Sequence, residues 1–156
     1  MSRRYPYGLL SVAALAIVLA LFYWTPSTPP SQPSTVEFGG VSLKLDYATT
    51  PAAREKGLGG RTSIPQDYGM LFVFPRDDFY GFWMKDTLVP LDMFWLDAQG
   101  HVVFIARDVV PSSYPNVFYP TAPARYVLET AAGFARAHTI ATGTPLSLKN
   151  LPTVTQ

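Results

Sequence analysis

Apolar and polar residues alternate through Val36-Glu37-Phe38 and again through Val41-Ser42-Leu43-Lys44-Leu45, on either side of Gly39-Gly40. Period two is the spacing of a strand, and a Gly-Gly link tolerates the positive φ of a two-residue turn, so the pattern predicts a hairpin. Thr50 to Lys56 carries a cap residue, a first-turn proline and good helix formers, and Gly57 ends the short helix these predict. Apolar runs then predict strands at Met70 to Phe74, Gly81 to Met84, Asp92 to Leu96 and His101 to Ile105, with Asp97-Ala98-Gln99-Gly100 as a turn. Pro111 to Pro123, with four prolines and two tyrosines, reads as a long loop. Tyr126 to Leu128 resumes a strand, Ala131 to His138 reads as a short helix and Pro145 to Lys149 as a last strand. The expected class is mainly β, with α+β as the alternative.

Ahead of this domain, Gly8 to Trp24 is a run of 17 residues without a charge, preceded by Arg3 and Arg4 and flanked by Tyr5, Tyr7, Tyr23 and Trp24. Its length lies at the lower edge of what spans a bilayer, and the aromatic flanks suit both interfaces. The expectation is a single-pass anchor over 1–24 with a cytoplasmic N-terminus and the domain on the extracytoplasmic, periplasmic side. A cleaved signal peptide is the competing reading, opposed by the bulky Phe22-Tyr23-Trp24 where a peptidase needs small residues. Residues 25–35, Pro, Ser, Thr and Gln only, predict a semi-extended tether reaching about 30 Å at ~3.1 Å per residue. The folded domain is expected over 36–152.

Composition narrows the function classes. The chain has 12 basic and 11 acidic residues. With Arg3 and Arg4 set apart, the domain is nearly balanced, which argues against a nucleic-acid partner, since that needs a concentrated basic face. The absence of cysteine excludes disulfides, thiolate metal sites and a Cys nucleophile. The two histidines, His101 and His138, form no metal-ligand spacing, and no serine-hydrolase elbow is present. Neither a cofactor nor a metal is expected.

A compact polar cluster, Trp83-Met84-Lys85-Asp86-Thr87 with Pro90-Leu91-Asp92, interrupts the apolar stretch from Gly69 to Phe104. The ordered motifs Gly57 to Arg61 (GLGGR), Gly69 to Phe74 (GMLFVF), Phe82 to Thr87 (FWMKDT), Pro90 to Asp92 (PLD) and Tyr126 to Glu129 (YVLE), with Pro111, Gly133 and Gly143, resemble the uncharacterised DUF192 family from about Val41 to Leu148. The resemblance implies a small barrel-like antiparallel domain with two short helices, often exported or tethered to membranes. It implies no activity. Gly59 stands where the family usually carries Met, and Asp86 where it usually carries Asn.

Six residues are candidates for a ligand site: Arg61, Trp83, Lys85, Thr87, Asp92 and Glu129. Charged and polar groups set among apolar strands must be paired or exposed. Arg61 follows a Gly-rich turn where bare backbone and a guanidinium could grip an anion, or it pairs with Asp67 or Glu129. Lys85 faces a site or pairs with Asp86 or Glu129, and Asp92 lines the site or accepts backbone N–H bonds. Trp83 offers a face for sugar or lipid, or packs in the core. Met70, Met84 and Met93 with His101 are a soft-ion set only if they are not core filler.

The sequence reading is an extracytoplasmic binding or accessory domain whose ligand is an envelope saccharide or a protein partner. The alternatives are a hydrolase of envelope glycan using Asp92 and Glu129, and a structural partner of a membrane complex.

Overall fold

Gly39 and Gly40 both take positive φ, 57° and 83°, and close a hairpin between β1 (Ser34–Phe38) and β2 (Val41–Ala48), paired antiparallel from Phe38↔Val41 outward. The computed structural model describes residues 34–154. The expected anchor over 1–24 and all but the last two residues of the expected linker lie outside them. Those two, Ser34 and Thr35, belong to β1, so the strand begins earlier than composition suggests. Among the described residues no helix is long and apolar enough to cross a membrane.

α1 (Pro51–Lys56) forms where its caps predict, with the Thr50 side chain accepting from the Ala53 N–H at 3.1 Å and Gly57 ending it at φ 47°. The helix connects β2 to β3 (Tyr68–Asp78), which pair in parallel, Lys44↔Tyr68 to Ala48↔Phe72. A parallel pair needs a crossover instead of a tight turn, and the segment carrying α1 supplies it. β4 (Leu91–Leu96), β5 (Val102–Val109) and β6 (Ala124–Ala131) complete one open sheet in the order β1-β2-β3-β6-β4-β5. α2 (Phe134–Ala137) follows β6.

The class is therefore mainly β with two short helices, but four expectations are corrected. The sheet is mixed, since β2 and β3 run parallel, and it does not close into a barrel, since β1 and β5 remain as edges. The apolar run Gly81 to Met84 is not a strand either. It lies in the 79–90 connection, whose one ladder contact is the isolated bridge Phe82↔Phe118. Pro145 to Lys149 likewise contributes only the bridges His101↔Pro145 and Phe38↔Leu146.

β3, β4 and β6 occupy the middle of the sheet and bury residues on both faces, which is why Met70 to Phe74 of β3 and Met93 to Leu96 of β4 read as continuous apolar runs instead of alternating ones. One face packs Leu71, Val73, Phe94 and Leu128 under Phe38, Phe134 and Ile140. The other packs Met70, Phe72, Met93, Trp95 and Val127 with Leu58 and Met84. Pro75 cannot donate to a ladder, and the register of β3 against β6 shifts between Val73 and Asp78. This second face, the one that α1 and the 79–90 connection cover, carries the site.

Candidate functional site

A pocket of about 360 Å³ opens between α1 and the 79–90 connection, lined by α1, Phe72 and Phe74 of β3, Tyr80 to Trp83, Lys85, Thr87 and Glu129. That volume lies within the range of small-molecule sites. Its aromatic wall is a chain of ring contacts: Phe74 stacks on Tyr80 at 3.6 Å, Phe82 meets Phe72 edge-on at 4.8 Å, and Trp95 meets Phe82 edge-on at 5.7 Å. The Trp95 indole N–H donates to the Tyr80 carbonyl at 2.7 Å, which holds the connection down on the sheet.

Register sets what lies at the floor. Glu129 of β6 stands opposite Met70 of β3 and Met93 of β4, so its side chain shares their face. It is 4% exposed, and among the described residues it takes part in no ion pair. Among the described residues no sealed side-chain oxygen lacks a partner, so its carboxyl meets the pocket space it lines. Burial pushes the carboxyl up to about 8, because the charged form loses its water without gaining a counter-ion. At neutral pH Glu129 thus offers one O–H donor and one carbonyl acceptor.

Cations ring the mouth. Arg54 of α1 is committed to structure, donating to the carbonyls of Thr49 and Val73 at 2.9 and 3.1 Å with its guanidinium 5.3 Å from the Phe74 ring centroid. Lys85 pairs with Glu55 of α1 at 3.1 Å, and that carboxylate raises its pKa. Lys56 lines the same mouth and enters none of the described ion pairs. With Glu129 neutral, the lining carries a net positive charge.

Of the six sequence candidates, Trp83, Lys85, Thr87 and Glu129 come together in this pocket. Thr87 is buried and donates to the Lys85 carbonyl at 3.3 Å, within the turn closed by Thr87 N–H to the Met84 carbonyl. Trp83 is half exposed at the rim. The other two lie elsewhere. Arg61 pairs with Asp46 at 3.0 Å, not with Asp67 or Glu129, and its guanidinium lies 4.9 Å from the ring centroid of Tyr68, whose hydroxyl donates to the same carboxylate at 2.6 Å. Asp67 is taken by Lys44 at 2.7 Å.

Asp92 stands opposite Thr130 and so points to the opposite face from Glu129. It is 1% exposed and accepts the backbone N–H of Asp108 at 2.7 Å and of Ala135 at 2.8 Å. The two carboxyls share no cleft, as paired-carboxylate hydrolysis would require. The expected soft-ion set also comes apart: Met70, Met84 and Met93 are in the core of the pocket face, while His101 faces Asp97. Among the described residues no group of three or more His, Cys, Asp or Glu is arranged to hold a metal.

The residues that sequence reasoning missed are Arg54, Glu55, Lys56, Phe72, Phe74 and Tyr80. α1 was legible, and a helix placed between two strands was the available signal that it would lie across the sheet and wall a site.

The described chain matches the DUF192 family model, Uncharacterized ACR, over residues 34–148. The solved structures similar to it include the following two. One, from Sinorhizobium meliloti 1021 and provisionally named a transcription regulator, is 28% identical, with a TM-score of 0.69 over 76% of this chain and 97% of its own. The other, a protein of unknown function from Novosphingobium aromaticivorans DSM 12444, is 29% identical, with a TM-score of 0.68 over 80% of this chain and 94% of its own. No curated protein matches the chain.

Proposed function

The chain belongs to the DUF192 family, and from that premise we propose that it is a membrane-tethered, extracytoplasmic binding domain whose pocket takes a small saccharide-like ligand bearing an acidic group. The observation that carries the reading is Glu129, a buried carboxyl at the floor of an aromatic pocket that enters no ion pair among the described residues. A neutral carboxyl suits a hydroxyl or amide, which both accepts and donates. The rings of Phe74, Tyr80 and Trp83 suit the flat apolar face of a sugar. Lys56 and Lys85 suit an acidic substituent at the mouth.

The hydrolytic alternative finds no support in the register, because Asp92 is on the other face and engaged with backbone N–H groups. Nor does the provisional name of the Sinorhizobium relative transfer, because the domain's balanced charge offers no concentrated basic face.

The test is thermal unfolding of the full chain in mild detergent against uronic acids, sugar phosphates and their neutral parents. A bound ligand at a hundred times Kd stabilises by about 2.7 kcal/mol, on the order of 10 °C in Tm for a domain of this size. The reading expects acidic sugars to raise Tm and neutral parents to do so less. No shift with any of them rejects it.

A further inference from the structure

The described residues leave seven large apolar side chains exposed, and all fall in two segments: Phe79, Trp83 and Leu88 before β4, and Val110, Tyr114, Val117 and Tyr119 after β5. The two segments meet at Gly81, Phe82 and Trp83, so their exposed apolar side chains lie on adjoining stretches of surface. Phe82 and Phe118 exchange backbone hydrogen bonds at 2.9 and 2.8 Å, and Trp83 meets Tyr114 edge-on at 6.2 Å. Gly81 lies so close beneath the second segment that a Cβ there would come within 2.7 Å of both Val117 and Tyr119.

We propose that this surface docks on the bilayer interface, an inference that rests on the tethered reading above. The first support is chemical. Four of the side chains are pure hydrocarbon, which suits acyl chains and not a sugar platform, while Trp83, Tyr114 and Tyr119 are the amphipathic rings favoured at headgroup level. The second support is the chain outside the described residues. Gly8 to Trp24 is uncharged and apolar, and the residues between it and β1 reach at most about 30 Å at ~3.1 Å per residue. A domain held that close meets the bilayer at high effective concentration, so a patch of modest intrinsic affinity stays docked.

Most charges beside the patch are paired, while Lys56 at the pocket mouth enters none of the described ion pairs. Arg76 with Asp78, Arg125 with Asp77 and Lys85 with Glu55 are paired around the patch. Trp83 and Gly81 line the pocket too, so docking brings the pocket mouth to the headgroup layer, where an amphiphilic ligand would present its polar end.

The experiment uses the full chain with Trp24→Phe in phosphatidylcholine vesicles, with and without brominated acyl chains. Trp95 is fully buried, so the remaining lipid-accessible emission belongs to Trp83. The proposal expects brominated lipid to quench most of the Trp83 emission, and adding Trp83→Phe to abolish that response. Leu88→Asp with Val117→Asp should remove the quenching while leaving the Trp95 emission of a folded core.

Flotation after alkaline carbonate washing reports the tether separately. A chain that floats without Trp83 quenching keeps the tether and overturns docking. A chain stripped by the wash refutes the tether. Quenching on adding it back to the same vesicles then upholds docking, and its absence overturns it. Protection of Trp83 from iodide by a soluble glycan, with no quenching by brominated lipid, assigns the surface to glycan and also overturns the proposal.

Discussion

Lys85 reaches from the 79–90 connection to Glu55 of α1, Nζ to Oε1 at 3.1 Å, and so joins the two walls of the pocket across its mouth. Both side chains are largely exposed, and exposed pairs of this kind contribute little to stability. Lys85→Ala should therefore leave Tm nearly unchanged while weakening the binding of acidic sugars, since it removes a cation and leaves Glu55 unopposed. Thermal unfolding and calorimetric titration on the same variant check both halves.

Phe72 and Trp83 line the same pocket but differ in burial, 2% against 45% exposed. Phe72→Ala removes a ring from the core and should cost about 3–5 kcal/mol. Trp83→Ala should cost about 1 kcal/mol or less, as a rim substitution does. Urea unfolding distinguishes them. Equal losses would place Trp83 in the core.

Glu129 gives stability a pH dependence of definite sign. Burial raises its folded pKa from 4.5 to about 8, so between these values the unfolded chain releases a proton that the folded chain keeps. Its contribution is fully favourable below the unfolded value and is lost as pH rises through about 8, at up to ~1.4 kcal/mol per pH unit. Asp67, whose pKa Lys44 lowers, acts in the opposite sense and only at more acid pH. Urea unfolding between pH 5 and 8 should show wild type losing several kcal/mol and Glu129→Gln losing much less.

Asp92 is a structural carboxylate tying β4 to β5 and to the start of α2. Asp92→Ala leaves two backbone N–H groups without their acceptor and should cost on the order of 2–4 kcal/mol. Below its melting transition, the variant should still bind the pocket ligand with unchanged Kd. A loss of binding in the folded variant would place Asp92 in the site after all.

What was legible in the sequence was local. The Gly39-Gly40 hairpin, the caps of α1 and the strands at β4 and β5 follow from turn chemistry and from runs of apolar residues. What was not legible depends on which strands become neighbours. Periodicity gives the face a residue occupies, not its partner, so apart from the helix between them nothing local marks the parallel β2–β3 pair, and nothing marks the open sheet. Gly81 to Met84 has the composition of a strand, yet it buries its apolar side by lying across the sheet, where Phe82 packs on Trp95. Glu129, at the end of Tyr126-Val127-Leu128-Glu129, is a site candidate in the sequence, but as an ion-pair partner or as a hydrolytic carboxyl beside Asp92. Only the long-range register that sets it between Met70 and Met93 makes it a buried acid.

The central claim is that Glu129 is a neutral carboxyl open to a ligand, and the chain is well suited to a direct reading because it has three glutamates, Glu37, Glu55 and Glu129. Carbon-13 NMR of glutamate-labelled full chain in detergent, with Glu129→Gln to assign the resonance, follows each carboxyl through its titration. The account predicts that the Glu129 resonance titrates near pH 8 and moves when an acidic sugar is added at neutral pH. A Glu129 carboxyl that titrates in the ordinary carboxylate range, or one that stays unmoved at saturating sugar, would contradict it.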